Sequence, residues 1–369
     1  MRPLLLAIAA LCCVASAAIA QEPVREELRI PFSAAGPRGL EAVLLKPPGT
    51  RRFPLALLSH GAPRDGADRP AMNPSRAHAQ AMEFVRRGFA ALVVMRRGYG
   101  TSDGAFVERA GPCEKRDYFT AGNISSDDLR AAIDSMSGRT DVTTQGMIAV
   151  GISAGGFASV ALAARPPPGL DAVISFAGGR GSRSDNDVCS PDALVAAFAS
   201  YGKTARVPML WIYAQNDKYF GPDLARRMHA AFIGAGGRAQ LIEAPAFGED
   251  GHALYSARGI PLWTPMVDRF LREQNLGTRD LIEVSAPSLI PPPQLGENGR
   301  SNFASYLASG PHKAFAVSPR GAFAHRAGRR SEQEARDDAL AACAKYAKDC
   351  AIYAIDDKLA GAATAAGPR

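Results

Sequence analysis

Met147-Ile-Ala-Val-Gly151-Ile-Ser153-Ala-Gly155-Gly-Phe-Ala-Ser-Val-Ala-Leu162 is an apolar run, a G-x-S-x-G turn and a second, alanine-rich apolar run. Four apolar residues before the turn suit a buried strand. The small residues after it suit a tightly packed helix. A serine on a sharp strand-to-helix turn, with glycine on both sides, is the form a nucleophile elbow takes, because bulkier flanks would collide with the neighbouring chain. The N-terminus of the helix also favours the negative charge that develops on an attacked carbonyl. Ser153 is therefore the candidate nucleophile, and the backbone N–H of Ala154 the first expected oxyanion donor.

The pattern occurs twice. Gly100-Thr-Ser102-Asp-Gly104 also fits G-x-S-x-G. Its preceding apolar run stops at Met95, no apolar helix follows, and Asp103 would oppose an oxyanion. Context selects Ser153.

Short apolar runs continue on both sides of the elbow. Upstream lie two β segments in 24–47, a strand at 55–59 ending in His60-Gly61, a helix over 72–87, a strand at 89–95 and a helix at 124–137. Downstream, strands at 171–176, 209–214 and 239–243 alternate with helices at 154–164, 191–201, 222–234 and 261–275. All-apolar strands alternating with helices predict a doubly wound, mostly parallel α/β sheet covered on both faces.

A nucleophilic serine needs a base, and the base an orienting acid. There are six histidines. His78 and His229 fall in expected helices, His312 and His325 in the C-terminal segment, and His60 at a strand end where a backbone role fits better. His252 remains, in the glycine-bearing loop Phe247-Gly-Glu-Asp-Gly-His252 after the last strand. The acid is Asp217, just past the strand Met209–Ala214. Asp250 is nearer in sequence but shares the histidine's loop. Gly61 or Ala62, after the 55–59 strand, is the expected second oxyanion donor. Arg96, Tyr99 and Phe220 are expected to wall the substrate site. No metal or organic cofactor is required.

These residues resemble the α/β-hydrolase family, and more closely its dienelactone-hydrolase and prolyl-oligopeptidase-like branches, over about residues 25–280. The carriers are His60-Gly61, Arg97-Gly-Tyr-Gly-Thr-Ser-Asp-Gly104, Gly151-Ile-Ser-Ala-Gly155, Gln215-Asn-Asp217 and Gly251-His252. The resemblance implies acyl transfer from a small-molecule ester. Dienelactone hydrolases use a cysteine nucleophile where this chain has Ser153, which points to broader ester hydrolysis. A serine peptidase is the nearest alternative, and a binding protein on an inactive scaffold the more distant one. The connections 97–123 and 177–207 are the ones long enough to build a cap, and neither holds a large lid.

The termini add context. Met1-Arg2, the apolar run Leu4–Val14 and Ala18-Ile-Ala20 read as a signal peptide over 1–20, too short to span a bilayer comfortably. That predicts a periplasmic or secreted protein without a membrane partner once the leader is cut. Four of the six cysteines lie beyond the leader. An even number in an exported chain favours disulfides, and the expected pairs are Cys113–Cys189 and Cys343–Cys350. The expected catalytic domain is 21–282, the Pro-rich linker 283–300, and a small α+β domain 301–369. That last segment resembles a small domain of bacterial exported proteins, through Ser318-Pro-Arg-Gly321, its paired cysteines and Tyr353-Ala-Ile-Asp356. Net charge is +7 with basic residues scattered, which gives no support to nucleic-acid binding.

Overall fold

The computed structural model describes residues 22–285 and 287–361. The proposed leader lies outside the described residues. An eight-stranded sheet organises the chain. Its strands are β1 (Val24–Phe32), β2 (Gly36–Lys46), β3 (Phe53–Ser59), β4 (Ala90–Val94), β5 (Val142–Ile152), β6 (Leu170–Phe176), β9 (Met209–Ala214) and β10 (Ala239–Ala244). A two-stranded hairpin, β7 (Ser182–Ser184) with β8 (Asp187–Val188), lies in the connection after β6. The spatial order is β1-β2-β4-β3-β5-β6-β9-β10. β1 and β2 pair antiparallel, as do β2 and β4, and every pair from β4 to β10 is parallel.

Both faces of this sheet are covered, which is why its central strands tolerate no polar alternation. β9 shows the consequence. Met209, Trp211 and Tyr213 enter one core with Phe157, Phe198 and Phe232, while Leu210, Ile212 and Ala214 enter the other with Phe84, Trp263 and Phe270. The helices are α1 (His78–Arg86), α2 (Tyr118–Ser137), α3 (Ala154–Ala163), α4 (Pro191–Gly202), α5 (Pro222–Gly234) and α6 (Ile260–Glu273). α6 buries Trp263, Val267, Phe270 and Leu271, a stripe at helical spacing. α3 is buried along its whole length, which explains its small residues. Among the described residues no helix is long and apolar enough to cross a membrane.

The C-terminal unit has its own antiparallel sheet, ordered β12-β11-β13-β14. Its strands are β11 (Ala314–Val317), β12 (Phe323–Arg326), β13 (Ala351–Ile355) and β14 (Lys358–Leu359), with helices α7 (Glu297–Leu307) and α8 (Glu332–Cys343). α7 starts inside the stretch expected to be linker. Leu295, just before it, is buried with Phe303, Tyr306 and Phe315, so this unit begins earlier than residue 301. Lys313 Nζ donates to the carbonyls of Leu307 and Ser309 at 2.8 Å each, satisfying chain ends that a helix leaves unpaired. The unit docks on the main sheet. Arg330 donates to the Glu41 carboxylate and to the Met72 carbonyl, and Asn73 Nδ2 to the Gly328 carbonyl at 2.6 Å.

Both expected cysteine pairs are joined, Cys113 to Cys189 and Cys343 to Cys350. The second supports a unit of limited core. The first ties the segment before α2 to the segment before α4, the two connections that flank the C-terminal ends of the parallel strands.

Candidate active site

β5 ends at Ile152 and α3 begins at Ala154, so Ser153 occupies the turn alone. Its φ of 55° and ψ of −122° are rare for a residue with a side chain, and such outliers cluster at functional sites. Three hydrogen bonds hold it there. Its N–H donates to Phe176 O at 2.9 Å, and its carbonyl accepts from Phe157 N at 2.9 Å and Gly179 N at 3.1 Å. A Cβ on Gly151 would come within 2.3 Å of the Gly155 backbone, and one on Gly155 within 2.1 Å of Ser59 O. No side chain fits at either flank. Ser153 itself retains 7% exposure.

Asp217 lies past the end of β9. Its Oδ1 accepts from the N–H groups of Tyr219 and Phe220 at 2.7 and 2.8 Å. Its Oδ2 faces His252 Nδ1 at 3.0 Å. Asp250 is placed differently. Its Oδ1 accepts from His252 N at 2.9 Å and Lys218 N at 3.0 Å, so it caps the short helical turn Gly251–Leu254 rather than meeting the ring. An ionised Asp217 at Nδ1 favours the tautomer with the proton on that nitrogen, which leaves Nε2 as the basic one.

The ring is fixed from two further sides. Tyr219 stacks on His252 with centroids 3.8 Å apart and planes 9° apart. Phe220 meets its edge at 5.7 Å. Arg64 lies over the Tyr219 ring at 3.7 Å and donates to Asp185 in the β7–β8 hairpin at 3.0 Å. Sequence reasoning missed Tyr219 and Arg64. The signal for Tyr219 was its place two residues beyond the acid.

On the other side of Ser153 stands the segment that follows β3. A Cβ on Gly61 would lie 3.2 Å from Ser153 Cβ, so this backbone runs directly beside the candidate nucleophile. His60 is half-buried and neutral, with its pKa pushed down to about 3 by desolvation and then by Arg96. Its Nε2 accepts from Arg96 N at 3.1 Å. That acceptance leaves the proton on Nδ1, which donates to Gly61 O at 2.6 Å. The carbonyl of His60 is taken by Arg96 Nη1 at 2.8 Å. With both carbonyls turned inward, planar trans peptides direct the N–H groups of Gly61 and Ala62 the opposite way.

The three expected wall residues do not line an open wall. Arg96 and Tyr99 are 0% exposed and Phe220 is 1% exposed. Arg96 and Tyr99 are buried because both bind Glu108, itself enclosed. Phe220 is buried because it packs on Gly179 and against His252. Ser102 is a structural residue. Its Oγ donates to Met95 O at 2.6 Å and accepts from Glu41 N at 2.9 Å. Among the described residues no group of three or more His, Cys, Asp or Glu is placed to hold a metal ion.

A sequence model of the X-Pro dipeptidyl-peptidase (S15) family matches residues 38–219, just under half of the chain. Among solved structures, a Bacteroides ovatus protein named as a dipeptidyl aminopeptidase IV is similar at 16% identity and a TM-score of 0.51, over 69% of this chain and 36% of its own. Pyrococcus horikoshii acylaminoacyl peptidase is similar at 15% identity and a TM-score of 0.48, over 72% of this chain and 43% of its own. Thermogutta terrifontis esterase 2 is similar at 17% identity and a TM-score of 0.49, over 69% of this chain and 97% of its own. The chain thus spans less than half the length of either peptidase. No curated protein matches it. At these identities the shared property is the fold.

Proposed function

We propose that this chain, an α/β-hydrolase-type serine hydrolase, is an exported enzyme that cleaves carboxylic esters through Ser153, His252 and Asp217. The observation that carries the reading is the Asp217–His252 pair, closed at 3.0 Å, at the same C-terminal end of the parallel strands as a serine held at positive φ. His252 Nε2 takes the Ser153 proton as Oγ attacks the ester carbonyl. The N–H of Ala154, with that of Gly61 or Ala62, receives the oxyanion. The alcohol leaves with the proton from His252, water repeats the cycle on the acyl-enzyme, and Asp217 stabilises the imidazolium in both halves.

The rim favours small and medium acyl groups. The connections over the site are joined by the Cys113–Cys189 disulfide, and no lid-sized insertion separates β6 from α4. Both disulfides fit an oxidising compartment, which supports export to the periplasm or beyond.

The S15 match over 38–219 favours a second reading, peptide-bond cleavage. Turnover of p-nitrophenyl acyl esters and aminoacyl anilides, by wild type and Ser153→Ala, separates the two. Ester turnover lost in the variant supports the proposal. Turnover of anilides alone transfers the site to peptides. Absence of both, with no labelling by a fluorophosphonate, leaves a binding protein on an inactive scaffold.

A further inference from the structure

Two backbone segments from distant parts of the chain flank Ser153. One is Ser59–Gly61, beyond β3. The other is Ala177–Gly181, beyond β6, whose Gly179 N–H binds the Ser153 carbonyl at 3.1 Å. A single buried carboxylate ties them together. Glu108 accepts from Arg96 Nε, from Arg180 Nη2 and from the Tyr99 hydroxyl, the last at 3.0 Å. Arg96 in turn holds Ser59 Oγ at 2.7 Å and His60 O at 2.8 Å. Arg180 follows Gly179 directly, and also reaches Glu108 O at 3.2 Å and Ser125 Oγ at 3.1 Å. The contacts form one line: His60 O, Arg96, Glu108, Arg180, then Gly179 and the Ser153 carbonyl.

Burial opposes charge on Glu108, but Arg180 and Arg96 outweigh it and hold the carboxyl well below the usual range. Two guanidiniums and one carboxylate leave a net positive charge enclosed beside the site. Buried ion clusters of this kind are often no more stable than apolar replacements, so stability alone does not account for this one. Its geometry does. The peptide planes that aim Gly61 and Ala62 N–H have their carbonyls fixed from the Arg96 side, and the elbow from the Arg180 side.

We propose that Glu108 is a positioning residue for the oxyanion hole, keeping the His60–Gly61 and Gly178–Gly181 segments in register on either side of Ser153. The inference rests on the ester-hydrolase reading above. The test uses the full chain as wild type, Glu108→Asp, Arg180→Lys and Ser153→Ala. It reads kcat and KM on p-nitrophenyl acetate and the inhibition constant of a trifluoromethyl ketone, whose serine adduct carries an oxyanion. Loss of register lowers kcat at least about tenfold with KM within about twofold, and weakens the ketone by a similar factor. A shortened carboxylate that left kcat and ketone affinity intact, with only the melting temperature reduced, would overturn the inference. Arg180→Lys keeps the charge and decides the matter if Glu108→Asp does not fold. Should neither fold, the cluster serves the fold and the inference is lost. Turnover that survives in Ser153→Ala overturns the underlying reading as well. Turnover lost there but kept in both cluster variants overturns this inference alone.

Discussion

The turn around Ser102 and the turn around Ser153 spell the same five-residue pattern, and both follow a strand of the same sheet. At Ser102 the hydroxyl is consumed by backbone: it donates to Met95 O and accepts from Glu41 N. The neighbouring Asp103 is likewise occupied, accepting from Arg38 N at 3.1 Å. At Ser153 the main chain is held by Phe176, Phe157 and Gly179, while the side chain lies beside Gly61. The candidate nucleophile is thus the serine whose place in the turn is held by its main chain, and the decoy the one whose hydroxyl does that work. The five letters do not encode that distinction. The flanking strand and helix do.

The comparison breaks most decisively at Ser153. Ser153→Ala should lower p-nitrophenyl butyrate turnover by at least about 10⁴-fold, with a melting temperature close to wild type. Asp217→Asn should follow, with kcat reduced roughly 10³–10⁴-fold through loss of the productive tautomer. Asp250→Asn should keep far more activity, because that side chain meets backbone N–H groups and not the ring.

Histidines sharpen the contrast next. His60, His78 and His325 are half-buried and neutral, with pKa values lowered to about 3, 4 and 4, in each case first by desolvation. Below their ordinary value of 6.5, the unfolded chain binds protons that the folded chain refuses, so stability falls as pH drops. Asp128 acts in the opposite sense. Burial raises its pKa to about 6, so the folded chain already holds that proton at pH 5. The net uptake on unfolding near pH 5 is about two protons, a loss of roughly 2.7 kcal/mol per pH unit. Denaturant melts at pH 4.5, 5.5 and 6.5 read this slope. A flat profile would show these rings to be protonated in the fold.

The smallest effect belongs to the decoy. Ser102→Ala should leave kcat within about twofold and cost about 1 kcal/mol in urea melts, since it removes the partner of the half-buried Glu41 N–H. Activity lost without stability would reverse the roles assigned to the two turns.

The main sheet was readable in the sequence because burial on both faces forces runs such as Met209–Ala214, which few other environments tolerate. The three triad candidates were readable because each follows a strand end or sits in a glycine-bearing loop after one. α7 was not, since Glu297–Leu307 is polar, follows a proline run, and becomes helical on the packing of Phe303 and Tyr306 against Phe315. The linker boundary moved for that reason. Arg96 and Tyr99 were misplaced for a different one. A charged residue in a glycine-rich loop reads as exposed, and its burial depends on Glu108, 12 residues on, and Arg180, 72 residues beyond that. Complementary charge at such separations leaves no local trace.

The bare flanks of the elbow carry a lesson for anyone wishing to redesign this protein. Gly151 and Gly155 abut backbone so closely that the reaction centre offers no variable position of its own. New substrate preference must be written into the rim, and there the β7–β8 hairpin, tied in through Arg64 and Asp185, is freer to vary than Tyr219, which holds the His252 ring.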